Sequence, residues 1–267
     1  MKLAVNSIKS VTSLSFGSYD GVFVSGQIFL PKGKPAAVMQ IIKGLNDTAS
    51  GIEALAKSLT GLNLIVAVSE YRWRTLKLTA KSEIEDHDWF FESLGDCTSF
   101  TDYLKNKFGL PVILYSSGYG SYLAQSYLTR CDTPVAVIMT DTYYLKRNLP
   151  AFINKTLLRF QSTYLTDLSE VKFMMGTNLE LRSREDRQSL TAGFYLSLFD
   201  GVARAFKKNA RKRVNKNIII TLLSPESSVK QYNKLYKTYL KMGLEKVFLT
   251  TEPLPAAVKN IFKCLHM

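Results

Sequence analysis

The chain has 267 residues, 46% hydrophobic, 12% aromatic and 21% charged, with a mean hydropathy of −0.02. That balance excludes a disordered or fibrous chain and allows a large buried core. No run of 18 apolar residues is present, and the N-terminal MKLAVNSIKSVTSLSFGS has neither the apolar stretch nor the small-residue cleavage site of a signal peptide, so an intracellular protein is expected. Cys97, Cys131 and Cys264 lie far apart and outside any C-x-x-C spacing, which argues against disulfides or a zinc site. His87 and His266 are the only histidines, so a multi-histidine metal site is excluded and no metal or cofactor is expected. The net charge of +13 is concentrated: Gly201 to Lys246 holds twelve Lys or Arg against Glu226 and Glu245, a net of +10. Anionic partners follow from such a density.

Along the chain, residues 12–30 alternate about Tyr19-Asp20-Gly21 and predict an antiparallel hairpin. The continuous apolar run at 36–42 predicts a strand buried on both faces. A helix over about 50–60 has Ile52, Leu55, Ala56 and Leu59 on one face, with Gly61 beyond its end. Strand 64–68, a helix over about 94–108 before Gly109, strand 112–115, a Gly/Ser turn, helix 122–128 and strand 135–139 complete a βαβαβ series. This alternation predicts a parallel sheet with helices on both faces. Residues 144–214 break the rhythm with helical pieces and no buried strand, which predicts a helical cap inserted into a core formed by 1–143 and 215–267. Strand 218–223, a helix over 229–242 ending at Gly243, strand 247–250 and a final helix follow.

The order of elements and the string PVILYSSGYGS at Pro111 to Ser121 resemble the α/β-hydrolases, specifically the lysophospholipase and monoacylglycerol lipase-like branch grouped with serine aminopeptidases. The resemblance spans most of the chain and implies an α/β-hydrolase fold, with the turn holding the family's nucleophilic serine at Gly118 and with Ser116 and Gly120 at its small flanking positions. The nucleophile is therefore missing. Such an elbow holds its central residue at positive φ, at a cost of about 1 to 3 kcal/mol for any residue with a Cβ, a strain that glycine largely removes. The acid position falls on Glu226 in LLSPES, but the string TTEPLPAAVK carries no histidine where the family has its base. His-Gly of the oxyanion-hole region is matched by Lys43-Gly44-Leu45, which implies backbone donors at Leu45 and Tyr119. The family arginine is matched by Arg72, and Trp73 and Arg74 replace smaller groups, reshaping the pocket around Lys43, Arg72, Trp73 and Ser117.

The resulting expectation is a cytoplasmic pseudoenzyme, soluble or peripheral at a membrane, whose pocket binds an acyl or lipid-like small molecule. The competing reading is an active carboxylic-ester hydrolase of lysophospholipase type. It would use Ser117 or Ser116 as nucleophile, Asp141 as acid and His87 as base, and would require a register slip in a tightly specified strand. A cation site among His87, Glu83, Glu85, Asp86 and Asp88 reads better as a solvated acidic loop. A third reading is an anionic-membrane binder using the basic 201–246 segment. Nucleic acid is disfavoured, because Ala205 to Lys216 interleaves only Phe206 among its basic residues.

Overall fold

The computed structural model describes residues 11–45, 47–75, 87–142, 201 and 214–266. The expected 144–214 cap and most of the strongly basic 201–216 stretch therefore lie outside the described residues.

Among the described residues, eight strands form one sheet: β1 (Val11–Gly17), β2 (Phe23–Phe29), β3 (Ala37–Ile42), β4 (Leu64–Ser69), β5 (Val112–Ser117), β6 (Ala136–Thr140), β7 (Ile219–Leu223) and β8 (Val247–Thr250), in the spatial order β1-β2-β4-β3-β5-β6-β7-β8. The β1–β2 hairpin and the β2–β4 pairing are antiparallel, and every other pairing is parallel. The helices are α1 (Ala49–Thr60), the short α2 (Arg72–Thr75), α3 (Trp89–Phe108), α4 (Tyr119–Tyr127), α5 (Val229–Lys241) and α6 (Leu254–Leu265), with a 3₁₀ turn at Glu226–Ser228.

The apolar patterns account for this layering. All six residues of β3 and all five of β7 are buried, as parallel strands covered on both sides require. On one face, Ile52, Ala56 and Leu59 of α1 and Ala257, Val258 and Ile261 of α6 pack on Met39, Ile41, Val66 and Ile219. The opposite face carries α3, α4 and α5, with Trp89, Phe90, Leu123, Tyr127, Tyr232 and Leu235 among its buried side chains. A buried leucine or phenylalanine in such a layer contributes about 1.5 to 3 kcal/mol relative to exposure. Gln40, the polar residue within β3, is satisfied: its amide donates to the Cys97 carbonyl at 3.0 Å and its oxygen accepts from Thr101 at 2.6 Å.

Two helices begin earlier than periodicity indicated. α3 starts at Trp89, because Asp88 caps it through the Phe91 amide. α4 starts at Tyr119 instead of Tyr122, because the strand-to-helix turn has a single residue, Gly118, which is itself the N-cap. At the other end of α3, Gly109 adopts the left-handed conformation (φ 63°) that closes a helix. No helix among the described residues is long and apolar enough to cross a membrane.

The parallel strands all end on one edge of the sheet. β5 lies between β3 and β6, so the β5–α4 turn is flanked by the segments that follow β3 and β6. The Gly118 amide donates to the Thr140 carbonyl at 3.2 Å, which ties the turn to the end of β6.

Candidate functional site

Gly118 has φ 49° and ψ −119°, a backbone conformation that side chains rarely adopt. Among the described residues, a Cβ placed there would meet nothing closer than the Gly44 Cα at 3.8 Å, an ordinary contact with the segment after β3. Gly120 is the converse. A Cβ there would lie 2.2 Å from the Ile42 carbonyl oxygen and 2.7 Å from that of Lys43, so only glycine allows α4 to approach the end of β3. The turn is further locked by Ser121, whose hydroxyl donates to the Thr140 carbonyl at 2.7 Å and lies 3.3 Å from Ser116 Oγ. Ser116 itself is fully buried and donates to the Ile138 carbonyl.

No side chain among the described residues caps the N-terminus of α4. The Tyr119 amide, first in the helix, stands ahead of the intrahelical ladder and is directed outward from it. The predicted donor at Leu45 sits in the segment facing it, and the Leu45 side chain packs against the core. The neighbouring Gly44 amide donates to Asp47 Oδ2 at 2.6 Å and to Ser117 Oγ at 3.1 Å, and the Ser117 hydroxyl donates to the same Asp47 oxygen at 2.5 Å. Asp47 thus braces the β3–α1 segment against the end of β5. This residue was not singled out from sequence. Its signal was the Asn46-Asp47-Thr48 string immediately ahead of α1, whose N-cap is Thr48.

The remaining predicted residues divide between the hairpin turn and the surroundings of the elbow. Arg72 is buried, and its guanidinium bonds Asp96 through Nε at 2.8 Å and through Nη2, and Asp20 through Nη1 at 2.5 Å. Burial opposes its charge, but the hydrogen bonds to Asp96 and Asp20 outweigh that and raise its pKa, while the Arg72 hydrogen bond holds the Asp20 carboxyl below the usual range. Arg72 therefore clamps the hairpin turn to α3; Asp20 and Asp96 bond it and Glu92 lies 3.7 Å away, which corrects its placement among pocket residues. Trp73 is buried and stacks on Tyr71 with centroids 5.3 Å apart. Tyr71 in turn meets Tyr119 edge-on at 5.8 Å and donates from its hydroxyl to the Lys43 carbonyl at 2.5 Å. This aromatic layer packs directly beside the elbow. Lys43 is buried and pairs with Glu70 at 2.6 Å.

His87 and Ser117 of the alternative triad each bond another residue. His87 Nδ1 bonds Glu92 at 2.8 Å and its ring stacks on Trp89, whereas Ser117 bonds Asp47. Asp141 follows β6 with φ 48°; burial and the nearby Asp47 charge raise its pKa. Glu226, at the family acid position, is exposed and makes no hydrogen bond or ion pair with the described residues. His266 caps the far end of α6 and is exposed. No grouping of three or more metal-ligating side chains occurs among the described residues.

No family model and no curated relative matches the sequence. Solved structures do match. A highly thermostable carboxyl esterase from Bacillus coagulans in complex with glycerol is 16% identical, with a TM-score of 0.67 over 90% of this chain and 89% of that one. A lipase in its open form is 14% identical, with a TM-score of 0.68 over 96% of both chains. Brefeldin A esterase, a bacterial homologue of human hormone-sensitive lipase, is 12% identical, with a TM-score of 0.55 over 99% of this chain and 79% of that one. The fold is that of the α/β-hydrolases. At these identities the likeness is one of architecture, and activity has to be argued from the site.

Proposed function

We propose that this chain is a catalytically degenerate member of the lysophospholipase-like α/β-hydrolases, which holds an acyl or lipid-like molecule at the elbow without cleaving it. The observation that carries this reading is Gly118: a backbone with the φ/ψ of a nucleophile elbow, at the mouth of an uncapped helix N-terminus, with hydrogen where the nucleophilic side chain would project. The donors of such a site are backbone amides, which survive the loss of side chains, so a carbonyl or carboxylate oxygen retains a place to bind next to Tyr119. Attack requires a nucleophile with a base in hydrogen-bond reach. Ser117 is instead bonded to Asp47, and neither histidine is bonded to a serine among the described residues. Residues 144–214 are read as the helical cap over this site, and the location as cytoplasmic or peripheral at a membrane.

The test pairs turnover with binding. Purified protein is expected to hydrolyse neither p-nitrophenyl butyrate nor a monoacylglycerol above the uncatalysed rate, and to give saturable binding of a fluorescent long-chain fatty acid. Stoichiometric fluorophosphonate labelling of Ser116 or Ser117, lost on substitution by alanine, would overturn the reading in favour of a rearranged hydrolase.

A further inference from the structure

Among the described residues, β8 is the last strand of the sheet and pairs only with β7. The carbonyls of Lys246 and Thr250 accept from the Ile220 and Ser224 amides. Backbone groups alternate along a strand, so the N–H and C=O of Val247 and Leu249 face away from the sheet. A groove of about 630 Å³ runs along this edge, walled by Tyr236 of α5 on one side and by Asn260, Ile261 and Cys264 of α6 on the other. Its lining includes an accessible apolar side chain, Phe248, which is 44% exposed. Edge strands that avoid pairing usually carry a charge or proline in the strand itself, and Val-Phe-Leu-Thr has neither.

The charge around the edge is predominantly positive. Lys230, Lys234, Lys237 and Lys241 on α5, Lys246 ahead of β8, and Lys259 and Lys263 on α6 are all exposed. From Val229 to His266 only Glu245 and Glu252 oppose these seven lysines. A second copy of this chain would set lysines against lysines along the shared edge. An acidic strand would meet complementary charge on both walls.

We propose that the β8 edge is a docking strip for an extended acidic segment of another protein, which adds a ninth strand by pairing with Val247 and Leu249. Main-chain bonds supply the affinity, and the lysine-flanked apolar groove supplies the preference for acidic residues alternating with apolar ones. This surface is separate from the elbow, and the inference stands whether or not the elbow binds an acyl group.

The experiment titrates the full-length protein into fluorescein-labelled Glu-Val-Glu-Ile-Glu-Val-Glu at low ionic strength, reading anisotropy. Saturable binding is expected. It should weaken at least tenfold for the fully N-methylated peptide, for a peptide of the same composition with its four glutamates in one block, and for the Lys246→Glu/Lys263→Glu protein. Phe248→Glu should have the same effect. These side chains are exposed, so circular dichroism should show each variant folded. Equal affinity for the block peptide would reduce the interaction to bulk charge and overturn the proposal, as would no binding of the alternating peptide. Binding to phosphatidylserine vesicles without binding to the peptide would overturn it in favour of a membrane. A dimer in sedimentation that Phe248→Glu dissociates would assign the edge to a second copy instead.

Discussion

Replacing Gly118 by serine tests the elbow without confounding strain and collision. The backbone at φ 49° and ψ −119° penalises any Cβ, on the order of 1 to 3 kcal/mol. Space does not add to this, because the nearest atom to a Cβ would be the Gly44 Cα at an ordinary 3.8 Å. Against the strain stands the lower entropy of the unfolded chain when glycine is removed, which returns about 0.4 to 1 kcal/mol. Mid-range values of about 2 and 0.7 kcal/mol leave a net loss of about 1.3 kcal/mol, or roughly 3 to 5 °C in Tm at the 2 to 4 °C per kcal/mol of a chain this size. Gly118→Ala should lose a similar amount, since the hydroxyl has no part in the cost. Gly120→Ala should lose clearly more, because its Cβ would sit 2.2 Å from the Ile42 carbonyl oxygen. Thermal unfolding followed by circular dichroism ranks the three, and the serine variant should hydrolyse p-nitrophenyl esters no faster than wild type, having no base. A neutral or stabilising Gly118→Ser would refute the strained elbow. Esterase activity in that variant would refute the absence of a base.

Asp96→Ala should cost about 3 kcal/mol or more, since it strips a buried guanidinium of its main partner, while Asp20→Ala, at the half-exposed end of the same clamp, should cost about 1 kcal/mol; urea denaturation of the two variants gives the order. Asp20 has a lowered folded pKa, so its contribution is present above the ordinary carboxylate value and is lost as pH falls through the folded one; the Asp20→Asn deficit in Tm should therefore shrink as the pH is taken below 4. Asp141 has the opposite sign: its raised folded pKa means that ionisation disfavours the fold as pH rises, so Asp141→Asn should raise Tm at pH 7 and lose that advantage in acid. Asparagine also tolerates the φ of 48° at this position, so a lower Tm at pH 7 would sink the assignment of Asp141 as an uncompensated charge.

The layers of this fold were legible because each is encoded locally. Ala36 to Ile42 announces a doubly buried strand by its unbroken apolar run, and Gly109 announces the end of α3 by supplying the left-handed residue that a helix stop requires. The elbow was legible for the same reason: a strand followed by Ser-Ser-Gly-Tyr-Gly-Ser leaves few ways to turn into a helix. What sequence reading misplaced depends on distance along the chain. Arg72 meets carboxylates 52 residues before it and 24 residues after it, and the Ser117–Asp47 bond spans 70 residues, so nothing in the local string distinguishes an arginine available to a ligand from one already occupied by protein. Only the β2–β4 pairing, which carries the hairpin turn to the carboxyl edge of the sheet, brings Asp20 to Arg72.

On the proposed reading, the same contrast explains how an elbow could outlast a nucleophile. The turn is held by Gly120, which lets α4 meet the end of β3, and by the Gly118 amide and Ser121 hydroxyl, which both bond the Thr140 carbonyl at the end of β6. None of these contacts involves a side chain at position 118. The strained φ/ψ is thus imposed by the packing of α4 across β3 and β6, and a side chain there has to be tolerated at the expense of stability. Once catalysis no longer requires that side chain, glycine is the residue the remaining contacts favour. The backbone amide of Tyr119 remains in place, because it belongs to the helix and not to the chemistry. On the proposed reading, loss of a nucleophile and retention of a helix terminus suited to an oxygen ligand are therefore compatible outcomes of one packing arrangement.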